Sequence, residues 1–588
     1  MMDRFLEDNE TWLSVSISFP VFRKKSLGRP KKDFKNCASS TKREKLRKLR
    51  DSLPKDLLKG FAKGVAPPAE ALQVRNRTEV TVRRKTPEEA LAVLVDNALS
   101  KTGYIKITRE TPGVYPCYDR IQREKRKCYP APNALAVSET HASVELQELL
   151  NLTVRRLAKF LESRLSELSP EARAGARLIS KWGMDGSHQD RFKQNFTDAS
   201  ASDSHVLQSY LLPLRLVTRV GSTDMILWQN PAPSSPRFCR PIRFRFVKED
   251  DKTTLEEYEH VKSQIDALAN TQVPLCNGTI TVKHDLKLTM VDGKVCNTLT
   301  GTSSTLRCFL CKATSSQFKD VESMQSRAVD PESLQFGMSV LHARLRFLDF
   351  VLGLAYKISL REEQERRERE ENVGRKTKKE KAADKKADLL KVKAAIQSAI
   401  RVQMGLLVDI PKAGFGTTND GNTSRRFFDD VETVSRITKI DFELLRKFKL
   451  ILEIISTGRE IDVVKFGTLC GETAKYYVSL YEWKPMSPTV HKVLIHGAQI
   501  IQHAELPIGI LSEEAGEHRN KHFREFRQKF SRKFSRVDCN RDLLNRLLIT
   551  SDPLISSLRP AWKTKQTPPS AEAMYYLRDR DDEAMETE

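Results

Sequence analysis

The sequence predicts an α+β protein of several domains, and three observations predict it. The 588 residues suffice for roughly three or four domains of ordinary size. Leucine-striped stretches at helical spacing stand ahead of Pro170, and helical patterning returns beyond Leu389. Between them lie short runs rich in branched and aromatic residues, bounded by Gly, Pro, Ser and Asn, as strands are.

In chain order, residues 21–50 hold 13 Lys or Arg against Asp33 and Glu44, a net of +11. This basic arm includes Gly28-Arg29-Pro30-Lys31-Lys32, a short turn able to offer Arg29, Lys31 and Lys32 to DNA, and a helical candidate from Ser40 to Arg50. A nuclear-localisation tract is the other reading of the arm, and it does not exclude DNA contact. A helix is signalled from Thr86 by Pro87 and by the apolar positions Ala90, Leu91, Val93, Leu94 and Leu99. A longer helix is expected from about Ser143 to Leu168, with Leu146, Leu149, Leu150, Leu157, Leu161 and Leu165 on one side and Pro170 closing it.

Strands are expected at Leu212 to Val220, Met225 to Gln229 and Phe238 to Val247, followed by a helical segment from Thr254 to Ala269. The next strand is the most legible one. Ile280, Val282, Leu286, Leu288 and Met290 alternate with Thr281, Lys283, Asp285, Lys287 and Thr289, and the run ends at Val291-Asp292-Gly293. Arg361 to Lys386 is almost continuously charged and reads as a solvated helix or a flexible insert. Helices resume from Leu389 to Met404 and from Asp441 to Ser456, and Asp579 to Glu588 forms an acidic end.

Composition narrows the partner. A net charge of +23 makes nucleic acid the leading partner class, because an excess of Lys and Arg binds polyphosphate by releasing condensed counterions. Ten cysteines, mostly scattered singly, do not make a disulfide framework, so a reducing interior fits better than secretion. Asp3, Glu7, Asp8 and Glu10 stand where a signal peptide would need a basic start. The richest apolar stretch, Val340 to Leu360, is broken by Arg344, Arg346, Asp349 and Lys357, so no membrane span is expected.

Cleavage of a phosphodiester by two metal ions needs several carboxylates on rigid elements brought within a few ångströms, whatever their separation along the chain. Asp185 stands in Trp182-Gly183-Met184-Asp185-Gly186-Ser187, at the expected end of a strand beginning near Leu178, and Asp292 ends the alternating strand. Taken singly, each Asp-Gly also reads as a plain turn. Glu517 lies near the start of a helix that Ser512 could cap, with Glu513 and Glu514 as competitors. Phe523, Phe526, Phe530 and Phe534 form the expected core stripe of that helix, and Arg519 and Lys521 belong to its basic surround.

Cys308-Phe309-Leu310-Cys311 supplies two thiolates at the spacing of a zinc knuckle, and His491 and His496 supply two imidazoles. Together they complete a tetrahedral donor set for zinc that would staple a large insert.

At these residues the chain resembles the Transib DNA transposases and, more distantly, the catalytic subunit of the V(D)J recombinase. The likeness runs through Leu27 to Pro30, Tyr115 to Tyr118, Trp182 to Ser187, Pro236 to Arg243, Met290 to Val295 and Cys308 to Thr314. It continues through Asn419 to Thr423 with Arg425 and Arg426, then His491 to Ile501, Leu506 to Gly509 and Ser512 to Lys521.

The resemblance implies an RNase H-like core with a DDE-type site formed by Asp185, Asp292 and Glu517 holding Mg2+ or Mn2+. A mostly helical insertion would interrupt the core, with Zn2+ on Cys308, Cys311, His491 and His496. Glu517 is preferred over its neighbours because it stands three residues before Asn520-Lys521. Arg29, Lys31, Lys32, Arg425, Arg426, Arg519 and Lys521 are the expected DNA contacts.

The implied divisions are a basic arm at 1–60, a helical dimerisation and DNA-binding region at 61–140, and a helical pre-catalytic region at 141–177. The first part of the core would span 178–302, the insertion 303–504, the last core helix 505–548 and a tail 549–588. The expected partners are double-stranded DNA, both terminal inverted repeats and target, and a second copy of the chain; the expected location is the nucleus. A domesticated DNA-binding protein that keeps the fold without transposition is the rival reading.

Overall fold

The computed structural model describes residues 42, 44, 83–189, 196–221, 223–370, 378–412, 416–560 and 568–578. The basic arm apart from Lys42 and Glu44, and with it Arg29, Lys31 and Lys32, lies outside the described residues, as does the acidic end.

Helix α1 (Pro87–Asp96) begins where Thr86 and Pro87 signal it. The Thr86 hydroxyl accepts from the Glu89 N–H and the Glu89 carboxylate accepts from the Thr86 N–H, a reciprocal cap worth about 1 kcal/mol. With α2 (Lys101–Glu110) and α3 (Tyr118–Lys127) it closes a small core of Leu91, Leu94, Tyr104, Ile121 and Cys128, completed by Ile549 and Ile555 from the far end of the chain.

The long helix expected from Ser143 differs in the structure. Residues 135–144 form a hairpin, β1 (Leu135–Val137) and β2 (His141–Val144). The helix is α4 (Leu146–Phe160), interrupted at Leu161 and followed by short α5 (Glu162–Ser166) and α6 (Pro170–Ala174). The leucine stripe is nevertheless buried, including Leu146, Leu149, Leu150, Leu157 and Leu165.

The sheet is built from β3 (Ala176–His188), β4 (His205–Val220), β5 (Thr223–Gln229), β6 (Arg240–Arg245), β7 (Thr271–Leu275) and β8 (Gly278–Met290), joined by β1 and β2. Its order is β1-β2-β6-β4-β3-β8-β7, with β5 paired to β4. The β3–β8 pair is parallel and the other pairs are antiparallel. Between β6 and β7 runs α7 (Asp251–Asp266), and α8 (Gly293–Leu299) follows β8.

Residues 303–504 contribute α9 (Val321–Ser326), α10 (Val340–Glu370), α11 (Lys378–Met404), α12 (Gly421–Asp429), α13 (Val431–Thr438), α14 (Phe442–Ile455), α15 (Val463–Tyr481) and α16 (Pro488–His503). Much of the charged run from Arg361 is thus helical, continuing α10 and opening α11. Beyond residue 504 come α17 (Glu514–Lys529), α18 (Arg536–Thr550), α19 (Pro553–Leu558) and α20 (Ala571–Met574).

Helix α17 packs on β3, and α18 packs on β2 and β6. Strand alternation on β4 puts Gln208 and Tyr210 on the α17 side, where both bond Asn520, and Ser209 on the α7 side, where it bonds Glu257 at 2.7 Å. The sheet is therefore covered on both faces. A buried pair, Arg156 Nε to Asp552 Oδ2 at 2.8 Å, fastens α4 to the start of α19. No helix among the described residues is long and apolar enough to cross a membrane.

Candidate functional site

Asp185, Asp292 and Glu517 line one small cleft, together with Met184, Tyr210, Met290, His342, Glu513 and Gly516. Each reaches it differently. Asp185 lies inside β3, which was expected to end there; the strand continues to His188 because β4 pairs with it throughout, Asp185 facing Gln208 across the ladder. Asp292 stands just past β8 and caps α8, its Oδ1 accepting from the Val295 N–H at 2.8 Å. Glu517 is in the first turn of α17, where the helix dipole favours negative charge.

Two glycines allow the approach. A Cβ on Gly183 would lie 1.9 Å from the Met290 carbonyl oxygen, so only glycine lets β3 and β8 meet where their register shifts beside the two aspartates. A Cβ on Gly186 would lie 2.3 Å from Glu249 Oε2, and the Gly186 N–H instead donates to that oxygen at 3.1 Å.

Glu249 is a further acidic group close to Asp185. Lys294 Nζ holds its other oxygen at 3.0 Å, and its charge acts on Asp185. Nothing in the sequence set it apart from Asp250 and Asp251, which follow it in the same acidic run. Burial pushes the Asp185 carboxyl well above the usual range, and the charges of Glu517, Asp292 and Glu249 push the same way. Glu517 is also raised by burial, with Glu513 and Asp292 adding and His342 opposing. Burial and the neighbouring carboxylates thus act in the same direction on Asp185 and on Glu517.

The competitors of Glu517 are otherwise engaged. Glu513 is buried and accepts from Ser339 Oγ, from the His342 N–H at 3.0 Å and from His342 Nδ1 at 2.8 Å. Glu514 pairs with Arg425 at 2.6 Å. Burial disfavours charge on His342, but the hydrogen bond and field of Glu513 lift its pKa to about 9. His342 Nε2 lies 3.8 Å from Glu517 Oε1. Nothing local in the sequence marks His342, which lies in the apolar stretch from Val340 to Leu360.

Cys308, Cys311, His491 and His496 offer ligand atoms that all lie within 4.8 Å of one another, and all four residues are buried. Cys311 Sγ is 3.4 Å from His491 Nε2. His496 Nδ1 is occupied by Gln499 Oε1 at 2.9 Å, while its buried Nε2 has no protein partner. The hydrogen bonds of Cys308 and His491 pull the Cys311 thiol well below its ordinary range, and the contact with Cys311 drives Cys308 up. The donor set, the burial and the orphaned Nε2 fit a tetrahedral metal such as zinc.

The cations expected at DNA separate into two groups. Arg425 and Arg426 are exposed on α12, Arg425 bound to Glu514 and Arg426 donating to the Met404 carbonyl at 3.1 Å, and Lys521 is exposed on α17. Arg519 corrects the expectation. It is fully buried and donates to the carbonyls of Cys239 and Leu547 and to Thr550 Oγ1, so it braces α17 from inside and is shut off from a phosphate.

No protein-family model matches the chain, and no curated protein matches it. Among solved structures it is similar to the Drosophila P element transposase strand transfer complex, at a TM-score of 0.30 and 8% identity, covering 88% of this chain and 100% of that chain.

Proposed function

We propose that the chain is a metal-dependent DNA transposase or recombinase of the DDE type, as its resemblance to the Transib transposases implies. The observation that carries the reading is the meeting of Asp185, Asp292 and Glu517 in one cleft from a strand, a strand end and a helix far apart in sequence. The antiparallel run β6-β4-β3 continued by the parallel β8 supports an RNase H-like core.

In this reading Asp185, Asp292 and Glu517 hold Mg2+ or Mn2+, with Glu249 reinforcing the negative field. The ions would supply the charge stabilisation for in-line displacement at phosphorus. Hard oxygen donors suit these ions. Asn520 orients Asp185, Glu513 orients His342, and Asp292 is held by its capping bond, so the carboxylates stand ready in a fixed arrangement. Cys308, Cys311, His491 and His496 would hold Zn2+ and close the insertion.

The substrate is double-stranded DNA at terminal inverted repeats, nicked and then attacked by the freed 3′-hydroxyl to leave a hairpin, with strand transfer to target DNA. The net charge of +23 and the exposed Arg425, Arg426 and Lys521 support a DNA partner. A homodimer acting in the nucleus completes the reading, since two ends must be brought together.

A cleavage assay on DNA carrying candidate terminal repeats tests it, with Asp185→Ala, Asp292→Ala and Glu517→Gln as controls. Wild type should cut in Mg2+ or Mn2+, and each variant should lose cleavage while still binding DNA. A folded, DNA-binding wild type as inert as the variants would leave the rival, a DNA-binding protein without transposition.

A further inference from the structure

We infer that Lys181 is a positioning residue that ties the strand bearing Asp185 to the segment delivering Glu517, so that the first and third carboxylates keep a fixed separation. The inference rests on the function proposed above.

Lys181 is fully buried in β3, four residues before Asp185. Its ammonium donates to the Ile510 carbonyl at 2.8 Å and to the Ser512 carbonyl at 2.5 Å. Neither acceptor is charged, and among the described residues no carboxylate is paired with it. Burial lowers its pKa to about 8, while Glu513 and Glu514 favour the charged form from a distance.

A lysine in such a place is costly, because a buried charge loses its hydration, and an aliphatic side chain would pack there at no such cost. What the ammonium gains is a hold on two carbonyls of the residues leading into Glu513 and α17. The same segment is pinned from the other side. A Cβ on Gly509 would lie 1.8 Å from the Thr457 carbonyl oxygen, so the backbone there is in direct contact with its neighbour. Further along α17, Asn520 donates to Asp185. Glu517 is thus bracketed, with Lys181 acting ahead of it and Asn520 behind it, and both ties lead back to β3. A metal site of this kind needs its ligands held within about 0.5 Å.

The test uses the full chain. Lys181→Met keeps the aliphatic stem and loses the ammonium; Lys181→Gln keeps a donor for one carbonyl. Two quantities are read: the Mn2+ concentration that half-saturates DNA cleavage, and the Mn2+ concentration that half-saturates the rise in melting temperature without DNA. Both should increase about tenfold or more in the Met variant, with Gln between it and wild type, and the increase should exceed what the change in metal-free melting temperature accounts for.

Wild-type Mn2+ dependence in the Met variant, or a loss of activity that only follows a lowered melting temperature, overturns the inference. If Met does not fold, the Gln variant alone decides by the same two readings. If the wild type itself neither cuts DNA nor gains stability with Mn2+, the proposed function fails, a result distinct from failure of the Lys181 tie.

Discussion

Asn520 donates a hydrogen bond from its amide nitrogen to Asp185 Oδ2, joining positions 335 residues apart. The opposite end of the same amide accepts from Tyr210 and Gln208, both buried on β4. Its orientation is therefore dictated by two donors, and the nitrogen must face the aspartate.

Asn520→Ala should strand two buried donors and release Asp185, at a cost of about 1–3 kcal/mol in unfolding free energy. Asn520→Asp should be worse for activity, since it sets a further carboxylate against Asp185. Urea denaturation and cleavage rates check both; an Asn520→Asp variant with wild-type cleavage would show that Asp185 does not depend on this contact.

The His342–Glu513 pair predicts a pH dependence in metal-free protein. His342 is raised from 6.5 to about 9, so its contribution is complete below pH 6.5 and lost as pH rises through about 9. Glu513 is lowered from 4.5, so its contribution is present above that value and lost as pH falls. Unfolding free energy measured in chelator should decline between pH 6.5 and 9, and the decline should flatten in His342→Gln. An identical slope in that variant would refute the assignment.

One zinc ion per chain is expected on the two cysteines and two histidines. Cys308→Ser or His496→Ala should lower the melting temperature and the zinc content together. Gln499→Ala, which frees His496 Nδ1, should weaken zinc by about 10–100-fold and leave the fold intact at saturating metal. Metal analysis and chelator competition read both; a pure, folded wild type without zinc would end this assignment.

Arg519 and Lys521 should part company although they are two residues apart. Arg519→Ala leaves buried carbonyls without donors and should cost about 3 kcal/mol or more. Lys521→Ala should leave stability within about 0.5 kcal/mol and reduce the salt slope of DNA binding by about 1. Denaturation and binding across salt concentrations separate them, and a stable Arg519→Ala protein with a reduced salt slope would return Arg519 to the surface.

Periodicity and punctuation made much of the framework legible. The cap at Thr86 and Pro87, the alternation from Ile280 to Met290 and the paired Cys and His all reappear in the structure. The failures have physical reasons. Phe534 was expected in the core because it continues the spacing of Phe523 and Phe526, but α17 stops at Lys529 and Phe534 is 88% exposed on the turn before α18. Spacing counts only while the helix lasts. Arg519 looked like surface because arginine usually is; only the fold brings three acceptors to it. Glu249, His342 and Lys181 carry no local signature, since each matters through a partner supplied by another part of the chain.

The Cys308, Cys311, His491 and His496 cluster gathers the two ends of a very large excursion of the chain, Cys311 and His491 being 180 positions apart. A metal held there would join the two ends of that excursion through ligands drawn only from its ends. The chain can lengthen, shorten or recharge the far reaches of α10 and α11 while α17 enters the cleft along an unchanged path.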